Sequence, residues 1–294
     1  MKRIAVVLCG QARFLEQGAW WFKNRVFPES DELQVDYYCY FWGDNENNLE
    51  ERIKNTHNPV KYGIGDYNLS FHAHRHAIRM GNKNATYENI PNLIQNTICY
   101  RPEEFNTFEY NFPGMYLCSA EAFRMIGEET LAKYDMVIRT RSDICLEPIA
   151  NRFWKTMIHE LENNTIHCPW IDINNGIPFV GDLAFFGKPD TMYKHFSELD
   201  SNLVKMATIN KYLFNEYQLV DPRNDGLPLG HVIWTRASLY TKINWRRLFW
   251  HSNQLHGLKT SLIRRNHSIE ELEKLSYIDI ENIYKEEEKQ RHNL

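Results

Sequence analysis

The run Tyr134-Asp135-Met136-Val137-Ile138-Arg139-Thr140-Arg141-Ser142-Asp143-Ile144 constrains this chain most. Its leading half is continuously apolar and its end is charged, which describes a strand buried on both faces that delivers Arg141, Ser142 and Asp143 to one edge of a sheet. Open α/β folds place their ligands at that carboxyl edge. A helical pattern over Met115–Tyr134, with Met115, Leu117, Cys118, Ala122, Met125, Ile126 and Leu131 as its apolar face, runs straight into the strand.

The opening of the chain repeats the theme. Ile4–Cys9 is a short apolar run closed by Gly10, the pattern of a central parallel strand feeding a loop. Residues 15–27 read as a helix carrying Trp20, Trp21 and Phe27 and ended by Pro28. Val35–Trp42 reads as a second strand, a polar helix follows near 46–55, and Val60–Ile64 as a third strand. Strands alternating with helices predict an α/β fold. Residues 66–112 mix His72, His74 and His76 with asparagines and prolines and predict irregular structure over a site mouth. Beyond Pro148 the pattern predicts a helix near 150–162, then the segment Ile166–Trp170, a loop rich in Asp and Asn, a glycine-bracketed strand at Gly181–Gly187 within Phe179–Gly187, and a helix over 189–217. A solvated helical tail closes the chain.

Composition narrows the function. With 294 residues, 43% of them hydrophobic, the chain can bury a full core, and a formal net charge of −4 offers no basic surface for nucleic acid. Six widely spaced cysteines without a CxxC pair suit buried thiols in a reducing compartment better than a disulfide frame or a zinc site. Ile4–Cys9 is too short for the core of a secretion signal, and no stretch reaches the roughly 20 apolar residues of a membrane span. The expectation is a cytosolic protein.

Several residues carry candidate chemistry. Gly10-Gln11-Ala12-Arg13 follows the first strand, where a glycine lets backbone approach a ligand and an arginine can fork onto a phosphate, or the segment is an ordinary strand-to-helix turn. It has neither GxGxxG nor GxxxxGK[ST] spacing. Asp143 is either a ligand for a divalent cation, Mn²⁺ or Mg²⁺, or an ion-pair partner for Arg139 or Arg141, which share its strand parity. Asp182 stands beside the apolar Leu183-Ala184-Phe185-Phe186 and is either functional or a turn residue. Asp225 can cap a following segment. His231, His251 and His256 belong to no HExxH motif, and each is a structural histidine or, for His251 after the aromatic cluster Trp245, Phe249 and Trp250, a late metal ligand.

Read in order, Arg3–Arg13, Asp36–Asp44 and Tyr134–Asp143 resemble the nucleotide-sugar glycosyltransferases of GT-A type, and among them the lipopolysaccharide and capsule biosynthesis proteins that include the WavE-like family. The likeness covers most of residues 1–190. It implies a mostly parallel central sheet flanked by helices, with a Rossmann-like nucleotide-binding half over about 1–145, an acceptor half over about 146–265 and a charged tail at 266–294. It implies transfer of a sugar from a nucleotide-sugar donor to a glycan or lipid-linked acceptor. In such proteins a strand ends in Asp-X-Asp, which holds a cation and the donor diphosphate. Here Arg141-Ser142-Asp143 keeps only the last acid, so that Asp143 with a metal, or Arg141 without one, would neutralise the diphosphate. Gly10, Gln11 and Arg13 would line the nucleotide, Asp182 would sit near the donor sugar, and Asp182, Asp225 and His231 are the candidates for activating the acceptor. A nucleotidyltransferase and a non-catalytic glycan-binding scaffold of the same descent are the rival readings.

Overall fold

The computed structural model describes residues 1–42, 48–65, 111–146, 153–169, 171–174, 177–181, 183–199, 201–202, 230–247, 262 and 267–292. The chain opens with β1 (Lys2–Gln11), helix α1 (Leu15–Trp21) continued by a π-helical turn at Phe22–Val26, and β2 (Leu33–Trp42). Next come α2 (Leu49–His57), β3 (Lys61–Gly65), α3 (Asn111–Ile126), α4 (Glu128–Leu131) and β4 (Met136–Thr140). The second part holds α5 (Phe153–Glu160), β5 (Thr165–Cys168), β6 (Ile171–Asn174), β7 (Ile177–Val180), β8 (Ala184–Gly187) and α6 (Pro189–Phe196). After these come α7 (Gly230–Thr241), β9 (Asn244–Arg247), α8 (Ile269–Glu273) and α9 (Tyr277–His292).

Seven strands form one sheet in the order β3-β2-β1-β4-β8-β5-β9. β1 pairs in parallel with both β2 and β4, β2 with β3 and β5 with β9, whereas β8 runs antiparallel between β4 and β5. The expected mixed α/β class with a mostly parallel sheet is therefore the observed one. Numbered in chain order, the first four strands lie 3-2-1-4, the order found across the switch point of a doubly wound sheet.

Sequence periodicity explains why the sheet is buried on both faces. In β1, Ile4, Val6 and Leu8 enter one apolar cluster while Ala5, Val7 and Cys9 enter the other, and β4 divides Met136 and Ile138 from Val137 in the same way. The first cluster takes in α1, α2 and α5 through Leu15, Trp21, Ile53, Trp154 and Met157; the second takes in α3, α6 and α7 through Tyr116, Phe123, Phe196 and Trp234. Five cysteines, Cys9, Cys39, Cys118, Cys145 and Cys168, are buried free thiols; Cys99 lies outside the described residues. Burial pushes the Cys39 and Cys118 thiols up, away from the reactive thiolate.

Three expectations need correction. The helical run over Met115–Tyr134 breaks at Gly127, whose φ of 86° only glycine adopts readily, so α3 and α4 are separate helices. The loop rich in Asp and Asn expected after Trp170 instead holds β6 and β7, and the glycine-bracketed strand expected at Gly181–Gly187 is observed as the shorter β8. Val180 ends β7, which pairs with β6 in a separate two-stranded sheet, whereas Ala184–Gly187 is the antiparallel strand of the main sheet. The charged tail is helical as expected, yet Leu272 and Ile280 are buried in the cluster beneath α1 and α5, so it docks on the body. The irregular structure expected over 66–112 falls almost wholly outside the described residues.

Candidate functional site

In the order 3-2-1-4, the chain leaves β1 toward β2 on one side and later returns as β4 on the other. The carboxyl ends of β1 and β4 thus flank the switch point, where open α/β sheets leave a crevice. Both charged segments singled out in the sequence end there.

At the end of β1, Gly10 has φ of +128°, a conformation that L-residues avoid, and a Cβ placed on it would meet no described atom within 4 Å. The Ala12 amide then donates to the Trp42 carbonyl at 3.2 Å, turning the chain across β2. Phe14, the residue before α1, holds φ of 50°, a left-handed state that is costly for a bulky side chain and gives no side-chain cap to the helix. Between these two special backbones Arg13 is partly exposed, and its guanidinium makes no hydrogen bond or ion pair among the described residues.

At the end of β4, the Thr140 hydroxyl donates to the Leu183 carbonyl at 2.8 Å and fixes the strand against β8. The chain then turns. Arg141 lies beyond the last strand residue, and the turn at Ser142-Asp143 folds the Asp143 carboxylate back onto it: Arg141 Nε donates to Oδ1 at 2.9 Å and a terminal guanidinium nitrogen donates to Oδ2 at 2.8 Å. This bidentate pair is strong and fixed in direction. The Asp143 side chain is 3% exposed and that of Arg141 20%.

The two strand ends are tied to each other. The Ser142 hydroxyl donates to the Arg13 carbonyl at 2.7 Å. From below, α1 presses its backbone on the same turn: a Cβ built on Gly18 would overlap the Ser142 carbonyl oxygen, and Trp21 Nε1 donates to the Leu146 carbonyl at 2.7 Å. Ile144, Cys145 and Leu146 are buried, which anchors the far side of the turn.

Arg139 has a different environment from the one its parity with Asp143 suggests. It is fully buried on the opposite face, where its Nε donates to Ser119 Oγ at 3.1 Å and its guanidinium lies 4.9 Å from the Trp234 ring centroid and 5.6 Å from that of Phe185. Of the two expected partners for Asp143, the described residues give it Arg141.

The remaining predicted site residues are not brought to this crevice by the described structure. Asp182, Asp225 and His251 lie outside the described residues, though Leu183, next to Asp182 in sequence, is the acceptor for Thr140. His231 falls in the first turn of α7, and nothing places its side chain. His72, His74, His76 and His256 also lie outside the description. The donor set at Asp143 does not fit a divalent cation, because both carboxylate oxygens face a guanidinium rather than a shared coordination space. Among the described residues no three His, Cys, Asp or Glu side chains gather as a metal site.

Sequence reasoning missed Gly18 and the linking role of Ser142. A glycine inside an amphipathic helix signals close backbone approach, and this was the available clue to Gly18.

No protein-family model matches the chain, and no curated protein does. Among solved structures it is similar to mouse xyloside xylosyltransferase 1 in its apo form, at 9% identity over 84% of each chain and a TM-score of 0.43. No helix among the described residues is long and apolar enough to cross a membrane.

Proposed function

We propose that this chain is a glycosyltransferase of GT-A type, moving a sugar from a nucleotide-sugar donor to a glycan or lipid-linked acceptor. The observation that carries the reading is the union of two loops at the switch point, Gly10–Arg13 and Arg141–Asp143, through the 2.7 Å bond from Ser142 to the Arg13 carbonyl. A crevice at that place, with backbone held open at Gly10 and two arginines on its rims, suits a nucleoside diphosphate.

The chemistry follows from what the leaving group needs. Sugar transfer passes through an oxocarbenium-like state in which negative charge builds on the departing diphosphate, and preorganised positive charge at those oxygens lowers the barrier. In this reading Gly10 and Gln11 line the nucleotide while Arg13 and Arg141 face the phosphates. Asp182, Asp225 and His231 remain the candidates for taking the proton of the acceptor hydroxyl. His251 is the remaining candidate metal ligand. Five buried thiols support a reducing compartment such as the cytosol.

Calorimetric titration with UDP, GDP and CMP, followed by measurement of nucleotide release from the matching sugar donors, tests this. The expected result is saturable binding of one nucleotide and release from its donor. Binding with no turnover of any donor, even with sugar acceptors present, would make the chain a glycan-binding scaffold, and failure of every nucleotide to bind would overturn the reading.

A further inference from the structure

We infer that Asp143 is a positioning residue for Arg141 rather than a metal ligand, and that donor diphosphate binding by this chain is independent of divalent cations. The inference rests on the proposed nucleotide site and specifies what holds the phosphates there.

The argument begins with the geometry of the pair. Side-on contact through Nε and one terminal nitrogen uses two of the five guanidinium donors and fixes the plane of the group, so the other terminal nitrogen is turned away from Asp143. A long arginine side chain otherwise samples many rotamers, and the carboxylate selects one before any ligand arrives. Asp143 itself is sealed at 3% exposure while Arg141 keeps a fifth of its side-chain surface accessible. The acid is thus behind the base as viewed from solvent. A cation ligand would need the reverse arrangement, with carboxylate oxygens leading into the crevice and room for waters and phosphate oxygens around the ion.

The turn is held from three further directions: Ser142 to the Arg13 carbonyl, Gly18 against the Ser142 carbonyl and Trp21 to the Leu146 carbonyl. Releasing Asp143 to coordinate an ion would break a bidentate pair within a turn that has no slack. Arg13 is linked to the same turn through its own carbonyl and is partly exposed, which puts a second arginine on the neighbouring loop. Two arginines on separate, mutually bonded loops suit a diphosphate, whose two phosphoryl groups offer more charge and more acceptor oxygens over a longer span than the single group of a monophosphate.

The test measures affinities of UDP, UMP, GDP and GMP for wild type, Asp143→Asn and Arg141→Gln, each in excess EDTA and again with MnCl₂. Wild type should bind one diphosphate with affinities within about twofold in the two buffers, and should prefer it to the matching monophosphate. Both variants should lose that preference by about tenfold while monophosphate affinity stays within about twofold, an effect that simple loosening of the fold would not produce. Diphosphate binding abolished by EDTA and restored by Mn²⁺ would overturn the inference while leaving the nucleotide site standing. An unchanged diphosphate preference in both variants would overturn it as well. Absence of binding by all four nucleotides in both buffers would overturn the inference, and with CMP failing as well it would remove the nucleotide reading too.

Discussion

The two edges of the same strands handle charge in opposite ways. At the amino edge of β1, β2 and β4 charged and phenolic groups close on one another: Lys2 with Asp135 at 2.7 Å, Arg3 with Asp36 at 3.2 Å, and the Tyr134 hydroxyl onto Asp36 at 2.7 Å while its oxygen meets that of Tyr38 at 2.8 Å. Arg3 also lies over the Tyr134 ring. At the carboxyl edge Arg13 has no such partner among the described residues, Gly10 and Phe14 hold left-handed backbone, and Arg141 is aimed by a sealed carboxylate. A closed network satisfies its own members and stabilises the fold; the edge with strained backbone and a guanidinium that has no partner among the described residues is where the proposed ligand would bind.

That contrast breaks first under acid, which should strike the body beneath both edges alike. His57 and His195 are buried, and desolvation holds their imidazoles down, to about 4 and about 3 respectively, from an ordinary value of 6.5. The unfolded chain binds protons there that the folded chain does not. Their stabilising contribution is therefore complete above about pH 6.5 and is lost as pH falls toward the folded values, on the order of 2 kcal/mol per histidine by pH 5. Urea unfolding at pH 7 and pH 5 should show a clearly lower midpoint at pH 5; equal midpoints would contradict the burial.

Gly18→Ala should come next. The new methyl meets a backbone carbonyl that is itself held by the turn, so α1 or the Arg141–Asp143 turn must shift, at a cost of about 1–3 kcal/mol. Thermal unfolding reads the loss, and nucleotide affinity should fall with it because the rim moves. Asp36→Ala sharpens the comparison from the other edge: with acceptor contacts to Arg3, Gln34 and Tyr134 removed, stability should drop by about 1–2 kcal/mol while nucleotide affinity is unchanged. Arg13→Ala should do the converse, weakening nucleotide binding by about tenfold, or about 1.4 kcal/mol, with the unfolding midpoint within error of wild type. A large loss of stability in that variant would place Arg13 in the framework instead of the site.

How far the sequence discloses this arrangement depends on how local each signal is. Ile4–Cys9 and Met136–Ile138 are apolar without a break, so both central strands were legible, and the charges that follow them lie at the carboxyl edge as the order of residues requires. The β6–β7 hairpin was not legible, because its Asp and Asn residues read as a loop and its pairing depends on backbone register rather than on an apolar run. Strand parity grouped Arg139 with Asp143, and the turn after Thr140 defeats parity. Arg139 instead meets Ser119, Phe185 and Trp234, residues brought from α3, β8 and α7 by tertiary packing alone. The choice of Arg141 as partner for Asp143 likewise depends on one turn that no period predicts. Gly18 gains its meaning only when the Ser142 carbonyl lies against it.

The central claim is that the ends of β1 and β4 form one nucleotide site. Amide hydrogen exchange with and without a saturating nucleoside diphosphate, UDP or GDP, tests it most directly. The account predicts slowed exchange in Gly10–Gly18 and Thr140–Leu146 together, with the amino-edge segments Lys2–Ala5 and Leu33–Tyr37 unchanged. Protection confined to other segments, or to one of the two loops alone, would contradict it.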